Sequence, residues 1–239
     1  MKRGNERDYQ KNYIRNREEF ILNKCREKRV LHLGCCDSPS TEFKFNKNIA
    51  LFQLIENECS DQLGLDYEKE ALNHLHSIGH KNVSFFDLNQ PGEINFHPEI
   101  IVFADTLEHL TNLENAINSL KGLMNEKTEL IITVPNATMF ERIIGNFRGY
   151  IHEHWDHKVS FTYTALKQLV LFNNLDISNI LFSDQLNLHK DNSKRVKESI
   201  LKTTVKLPLR VLKLLIRKSL VFFFPLFSEC LVIVCKLKK

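Results

Sequence analysis

Three acids and a knot of histidines are the residues of this chain best equipped for chemistry. Asp66, Asp87 and Asp105 each follow a short apolar run, and Gly34 ends another, Val30-Leu31-His32-Leu33-Gly34. His152, His154 and His157 cluster in GYIHEHWDHKVSF, and His109 lies in Leu107-Glu108-His109. An acid just after a strand can cap the next helix, and Asp66 before EKEALNHL suits that role. One carboxylate also accepts two hydrogen bonds from the cis-diol of a ribose, and an acid one strand further on accepts from an adenine amino group. Acids at three successive strand tips therefore suit an adenosine-containing cofactor.

The first loop narrows the choice. A pyrophosphate dinucleotide needs G-x-G-x-x-G, because bare backbone must approach the phosphates at a helix N-terminus. Only Gly34 is present, with Cys35, Cys36 and Ser38 where further glycines would stand, which disfavours a nicotinamide-dependent reductase. S-adenosylmethionine carries no phosphate, so one close-approach glycine and nearby carboxylates suffice. Methyl transfer to a hydroxyl also requires removal of one proton, and histidine titrates nearest neutrality. His157 is the preferred base and His154 the second choice. His109, at the start of the helix after the fourth strand, competes with them. The plain alternative is a surface-loop histidine at 154 and 157, and a packing residue held by Asp105 or Glu108 at 109.

These residues need a scaffold, and the order of apolar runs supplies one. Strand-like segments at 30–34, Gln62–Asp66, Val83–Asp87, Glu99–Ala104 and Leu130–Pro135 alternate with helix-period segments. That alternation predicts βαβ units and a doubly wound, mostly parallel sheet buried on both faces. A chain of 239 residues with 43% hydrophobic residues, 8 Gly and 6 Pro can bury a sizeable core and is neither disordered nor collagen-like.

The net charge of +4 averages three unlike segments: residues 1–30 carry +5, residues 31–193 carry −11, and residues 194–239 carry +10. An acidic body argues against nucleic acid as a partner. Lys202, Lys206, Arg210, Lys213 and Arg217 recur at helical spacing beside an apolar face, which predicts a basic amphipathic helix over 194–222. Such a helix either packs on the domain or lies on anionic lipid. Six cysteines without metal spacing, and a polar N-terminus, point to the cytoplasm, with peripheral membrane contact through residues 194–222.

The runs VLHLGCCDSP, LGLDYEKEAL, FFDLNQPGE, IIVFADTLEHL with its following helix and TVPN, and HEHWDHKVSFTYTALKQLVLFNNLDI together resemble class I S-adenosylmethionine-dependent methyltransferases. Within them they resemble the broad group often found with polysaccharide and lipid-glycan biosynthesis. The resemblance spans about residues 28–185, and His32 stands where the family's first motif usually has an acid. It implies a Rossmann-like sheet of seven strands with an antiparallel last strand and a helical insertion before it. The expected organisation is an N-terminal helix at 1–27 and a domain at 28–239, with the insertion at 194–222 and the final strand at 229–236. The resemblance places Gly34 and Cys36 under the methionine portion of the cofactor, Asp66 on the ribose, and Asp87 with Leu88 around the adenine. Tyr67 would cover the adenine face, and Asp105 and Thr106 would line the methyl pocket.

Asp105, Glu108 and His109 also match an acid-x-x-Glu-His pattern with which some ubiquinone-type relatives bind a divalent ion, although the expectation here is of no metal. The expected function is O-methylation of a sugar or lipid-linked glycan. The alternatives are a small phenolic or quinone-type acceptor, or a non-catalytic protein that binds cofactor or partners.

Overall fold

The computed structural model describes residues 12–88, 94–150, 153–184, 217 and 219–238. Most of the basic segment 194–222 therefore lies outside the described residues, as does His152. Eight strands form one sheet: β1 (Tyr13–Ile14), β2 (Arg29–Leu33), β3 (Asp61–Asp66), β4 (Val83–Phe85), β5 (Ile100–Ala104), β6 (Glu129–Pro135), β7 (Leu175–Ser183) and β8 (Cys230–Leu237). Their order is β1-β7-β8-β6-β5-β2-β3-β4. All neighbours are parallel except β8, which runs antiparallel to both β6 and β7.

The doubly wound sheet with its antiparallel last strand is thus present. An eighth, two-residue edge strand is added where Tyr13 and Ile14 pair with Phe182 and Ser183. Two residues are too few to carry a period-two signal, so the sequence gives no sign of it.

Helices cover both faces, which is why the central strands read as unbroken apolar runs. On one face α1 (Arg17–Cys25) and α3 (Leu51–Glu56) bring Ile21, Cys25 and Ile55 onto Val30, Val102, Ile131, Val232 and Val234. On the other, α5 (Leu113–Gly122) and α7 (Tyr163–Phe172) set Ile117, Leu120, Leu166 and Val170 against Leu31, Phe103, Ile132 and Ile233. A third cluster joins α2 (Thr41–Asn46), α3 and α4 (Lys69–Ser77) through Phe45, Phe52, Leu72 and Leu75 around Cys35 and Cys36.

Side-chain caps start several of these helices: Asn16 accepts from Glu18 N and Glu19 N, and Thr162 from Ala165 N. The helix α1 packs on the domain, with Arg17, Ile21 and Cys25 buried. All six cysteines are free thiols. Among the described residues, no helix is long and apolar enough to cross a membrane.

Candidate functional site

The carboxyl ends of β5, β2, β3 and β4 lie side by side, with Leu33 in register with both Leu65 and Phe103, and Asp66 with Phe85. Strand order reverses between β2 and β5, and in open parallel sheets the crevice beyond such a switch point binds the ligand. Gly34, Asp66, Asp87 and Asp105 all follow or end these strands, so the fold brings the predicted cofactor residues to one edge.

Gly34 has φ +74°, and a Cβ there would stand 2.2 Å from Thr106 Oγ1. Only glycine serves at this point, for both reasons. Its N–H donates to Leu65 O at 2.8 Å, which pins the first loop to the tip of β3. The Asp66 carboxylate continues the tie: Oδ2 accepts from Cys36 N at 2.8 Å and Oδ1 from Glu68 N at 3.0 Å. Asp66 does not cap α4, whose N-cap is Glu68 with no side-chain cap bond; it ties the turn before that helix to the first loop. A carboxylate has about four acceptor positions, so Asp66 keeps lone pairs for a diol.

The Cys36 thiol is held protonated, first by its hydrogen bond with Cys35, then by burial and the nearby Asp66 charge. Neither adjacent cysteine substitutes chemically for the absent glycines; Cys35 instead fills the space against Gly64, where a Cβ would lie 2.8 Å from its sulfur. Tyr67 is 61% exposed, with its ring 5.6 Å from that of Phe85. The chain beyond β4 is anchored where Ser119 Oγ of α5 donates to Leu88 O at 2.8 Å.

Asp105 also has a positive φ, +46°, and its backbone N–H donates to Thr133 O at 2.9 Å. Its carboxylate is ion-paired with Arg17 of α1, and Thr133 Oγ1 donates to Oδ1 at 3.2 Å. Arg17 Nη1 also donates to Thr133 Oγ1 at 3.2 Å. Burial opposes the guanidinium charge, but Asp105 outweighs it and holds the pKa above its ordinary value. Asp105 is thereby committed as an ion-pair partner. Sequence reading missed Arg17, which lies 88 positions away with no local signal.

A second set of groups lies beyond β5. Leu107–His109 form a short 3-10 turn, and the carbonyl of Glu108 accepts from Lys158 N at 2.7 Å and Val159 N at 3.1 Å. These bonds dock the histidine segment onto the turn. The rings of His109 and His157 are 4.9 Å apart, and those of His154 and His157 5.5 Å apart. Asp156 joins them: Oδ2 lies 3.1 Å from His109 Nδ1, and Oδ1 bonds His154 Nδ1.

The three predicted bases are therefore one cluster rather than rivals. Burial, followed by the charge of His109, lowers the pKa of His157, which keeps it neutral at pH 7. Burial works against ionisation of Asp156, but the His154 bond and the nearby His109 hold it below the usual carboxylate range. Glu108 is buried, and burial together with the Asp105 charge pushes its carboxyl up to about 8. Asp156 was passed over in the sequence, although an acid inside HEHWDH was the available signal.

The acid-x-x-Glu-His pattern does not come together as the spacing implied. Among the described residues, two carboxylate–imidazole groups have ligand atoms within 4.8 Å of one another, Glu108 with His109 and His157, and Asp156 with His154 and His157, and Asp105 is in neither.

The basic stripe is corrected at one position. Arg217 turns onto the domain, 2.5 Å from Glu141 at the start of α6 (Phe140–Phe147), 3.4 Å from Asp184 and 2.7 Å from Glu229. It is not a member of a lipid-facing row. The acids at the carboxyl ends of β7 and before β8 capture it.

Comparison with solved structures defines the class of this architecture: it is the fold of S-adenosylmethionine-dependent methyltransferases. One such enzyme from Archaeoglobus fulgidus is 17% identical, with 92% of this chain and 94% of that chain covered and a TM-score of 0.51. Another, from Clostridium acetobutylicum, is 14% identical over 97% of this chain and 93% of that chain, with a TM-score of 0.52. A third, from Mesorhizobium loti, is 10% identical over 92% and 97%, with a TM-score of 0.51. The likeness is one of fold. No protein-family model matches the chain, and no curated protein matches it.

Proposed function

We propose that this protein is an S-adenosylmethionine-dependent methyltransferase that methylates a hydroxyl of a sugar or lipid-linked glycan. The observation that carries the reading is the tie between the first loop and β3. Gly34 is forced bare by Thr106, while Asp66 holds Cys36 N and retains acceptor capacity. Gly34 and Cys36 would lie under the methionine portion of the cofactor and Asp66 would take the ribose hydroxyls. Asp87 and Leu88 would bracket the adenine beneath Tyr67, with Asp105 and Thr106 beside the methyl.

Bound S-adenosylmethionine supplies a methyl group already activated by its sulfonium. The protein's part is alignment and removal of the acceptor proton. His157, kept neutral by burial, accepts that proton, and His154 with Asp156 stands next to it. Trp155, 88% exposed and 6.0 Å from the His154 ring, supports a sugar acceptor, because an indole face packs on the apolar face of a pyranose.

A peripheral membrane position is proposed for the same enzyme. Phe222, Phe223 and Phe224 are each more than half exposed at the end of the basic segment. A lipid-linked acceptor would then be met at the surface that carries it.

Calorimetric titration with S-adenosylhomocysteine tests the cofactor assignment. Binding is expected, and Asp66→Ala is expected to weaken it at least tenfold. A wild-type protein that does not bind would end the methyltransferase reading, and unchanged affinity in the variant would end the ribose assignment.

A further inference from the structure

Arg142 is a buried cation whose charge is loosely met. It stands in the first turn of α6 and is 8% exposed. Among the described residues its ion pair is with Glu153, and Nη1 lies 3.5 Å from Glu153 Oε1, longer than a charge-assisted hydrogen bond. Its Nε is buried with no hydrogen-bond partner. A guanidinium left this way is disfavoured, and an anion would satisfy it. Helix stability does not account for the residue either, because a cation in a first turn opposes the macrodipole, and Met139 at the N-cap makes no side-chain cap bond. An anion at this place would be favoured by the guanidinium and the helix end together.

The position of Arg142 points to the acceptor rather than the cofactor. Helix α6 follows β6, and Glu153 belongs to the segment that carries Trp155 and His157. Burial and then His109 lead in keeping the His157 ring neutral, and Arg142 acts in the same direction, so the guanidinium lies within electrostatic reach of that base. We propose, resting on the methyltransferase reading, that Arg142 binds an oxyanion of the acceptor, which is an acidic saccharide carrying a carboxylate or a phosphate. The guanidinium fork matches either group through paired N–H donors. The exposed Glu153 is the carboxylate that the acceptor's anion displaces. An acceptor bound this way offers its anion to Arg142, its apolar face to Trp155 and a hydroxyl to His157.

Ligand-observed NMR titrations of the full chain, with and without S-adenosylhomocysteine, should compare the methyl glycosides of glucose, galactose and mannose with their uronic and 6-phosphate counterparts. Acidic sugars should bind about tenfold more tightly than neutral ones, the range of a hydrogen bond to a charged group, and the uronic and phosphate arms distinguish the two oxyanions. Arg142→Gln should remove the preference while leaving S-adenosylhomocysteine affinity, read by calorimetry, unchanged. Glu153→Gln, at an exposed position, should tighten the acidic sugars several-fold, because the competing carboxylate is gone; a merely structural pair predicts no gain. Thermal melts check that each variant is folded. Wild-type protein that binds no acidic sugar or binds neutral ones equally well, a preference that survives in folded Arg142→Gln, or no gain in Glu153→Gln would overturn the proposal. Failure to bind S-adenosylhomocysteine ends the methyltransferase reading instead, and the titrations without it still decide whether Arg142 holds an anion.

Discussion

At the residue scale, His32 shows what burial does to a titratable group. It sits in the middle of β2, 2% exposed, and its ring lies 6.1 Å from that of Phe52. Burial lowers its pKa from 6.5 to about 4, so it is neutral in the fold, whereas the unfolded chain takes up a proton near the ordinary value. The folded pKa is depressed, so the stability it contributes is present above 6.5 and lost as pH falls through about 4. The gap is worth about 3 kcal/mol at about 1.36 kcal/mol per pH unit. Denaturant melts of the wild type should therefore lose stability between pH 6.5 and 4, and His32→Phe should lose about 3 kcal/mol less over that window. Parallel pH dependences for the two proteins would refute this account of acid sensitivity. Where the family resemblance puts an acid at this point, the chain has a group that serves as a flat, neutral packing surface.

At the element scale, α1 is joined to the site by one side chain. Arg17 reaches from its first turn to Asp105 after β5 and Thr133 in β6, so three elements meet at the strand tip that faces the proposed methyl position. Breaking a buried ion pair costs about 3–5 kcal/mol. The Asp105 side chain is 40% exposed and solvent softens the loss, so Arg17→Met is expected to cost roughly 2 kcal/mol. Thermal melts with and without S-adenosylhomocysteine check this, and the variant should also bind the ligand more weakly, because Thr106 beside Asp105 closes on Gly34. A stability within experimental error of wild type would show that α1 is merely appended. The edge pairing of Tyr13 and Ile14 with β7 adds a second, weaker attachment.

At the scale of the whole molecule, charge is divided between an acidic body and a basic C-terminal segment, −11 over 31–193 and +10 over 194–239. Anionic lipid attracts such a segment by about 1 kcal/mol for each basic residue near the surface, and salt screens the attraction. Arg217 is withdrawn from that sum by Glu141, Asp184 and Glu229. The protein is expected to float with phosphatidylserine vesicles at low ionic strength, and several-fold less at high salt or with Phe222, Phe223 and Phe224 changed to Ser. Protein that stays at the bottom of the gradient under every condition would leave the segment a packing role alone.

Periodicity and order settled a good deal by themselves. The apolar runs of β2, β5 and β6 are continuous because both faces of a parallel sheet are covered, and their alternation with helical segments implies the doubly wound sheet. Strand ends follow from the same pattern, so the positions of Gly34, Asp66 and Asp105 at one edge were legible before any coordinates. Contacts between distant segments were not. Nothing local to Arg17 announces Asp105, nothing in Glu108 announces burial, and a two-residue strand such as Tyr13–Ile14 has no period to detect. The three histidines looked like competing bases because spacing ranks residues singly. Only the docking of Lys158 and Val159 on the Glu108 carbonyl makes them one cluster around Asp156. Local sequence writes which face of each element is apolar, while the neighbours of a polar side chain are decided by the packing of elements far apart in the chain.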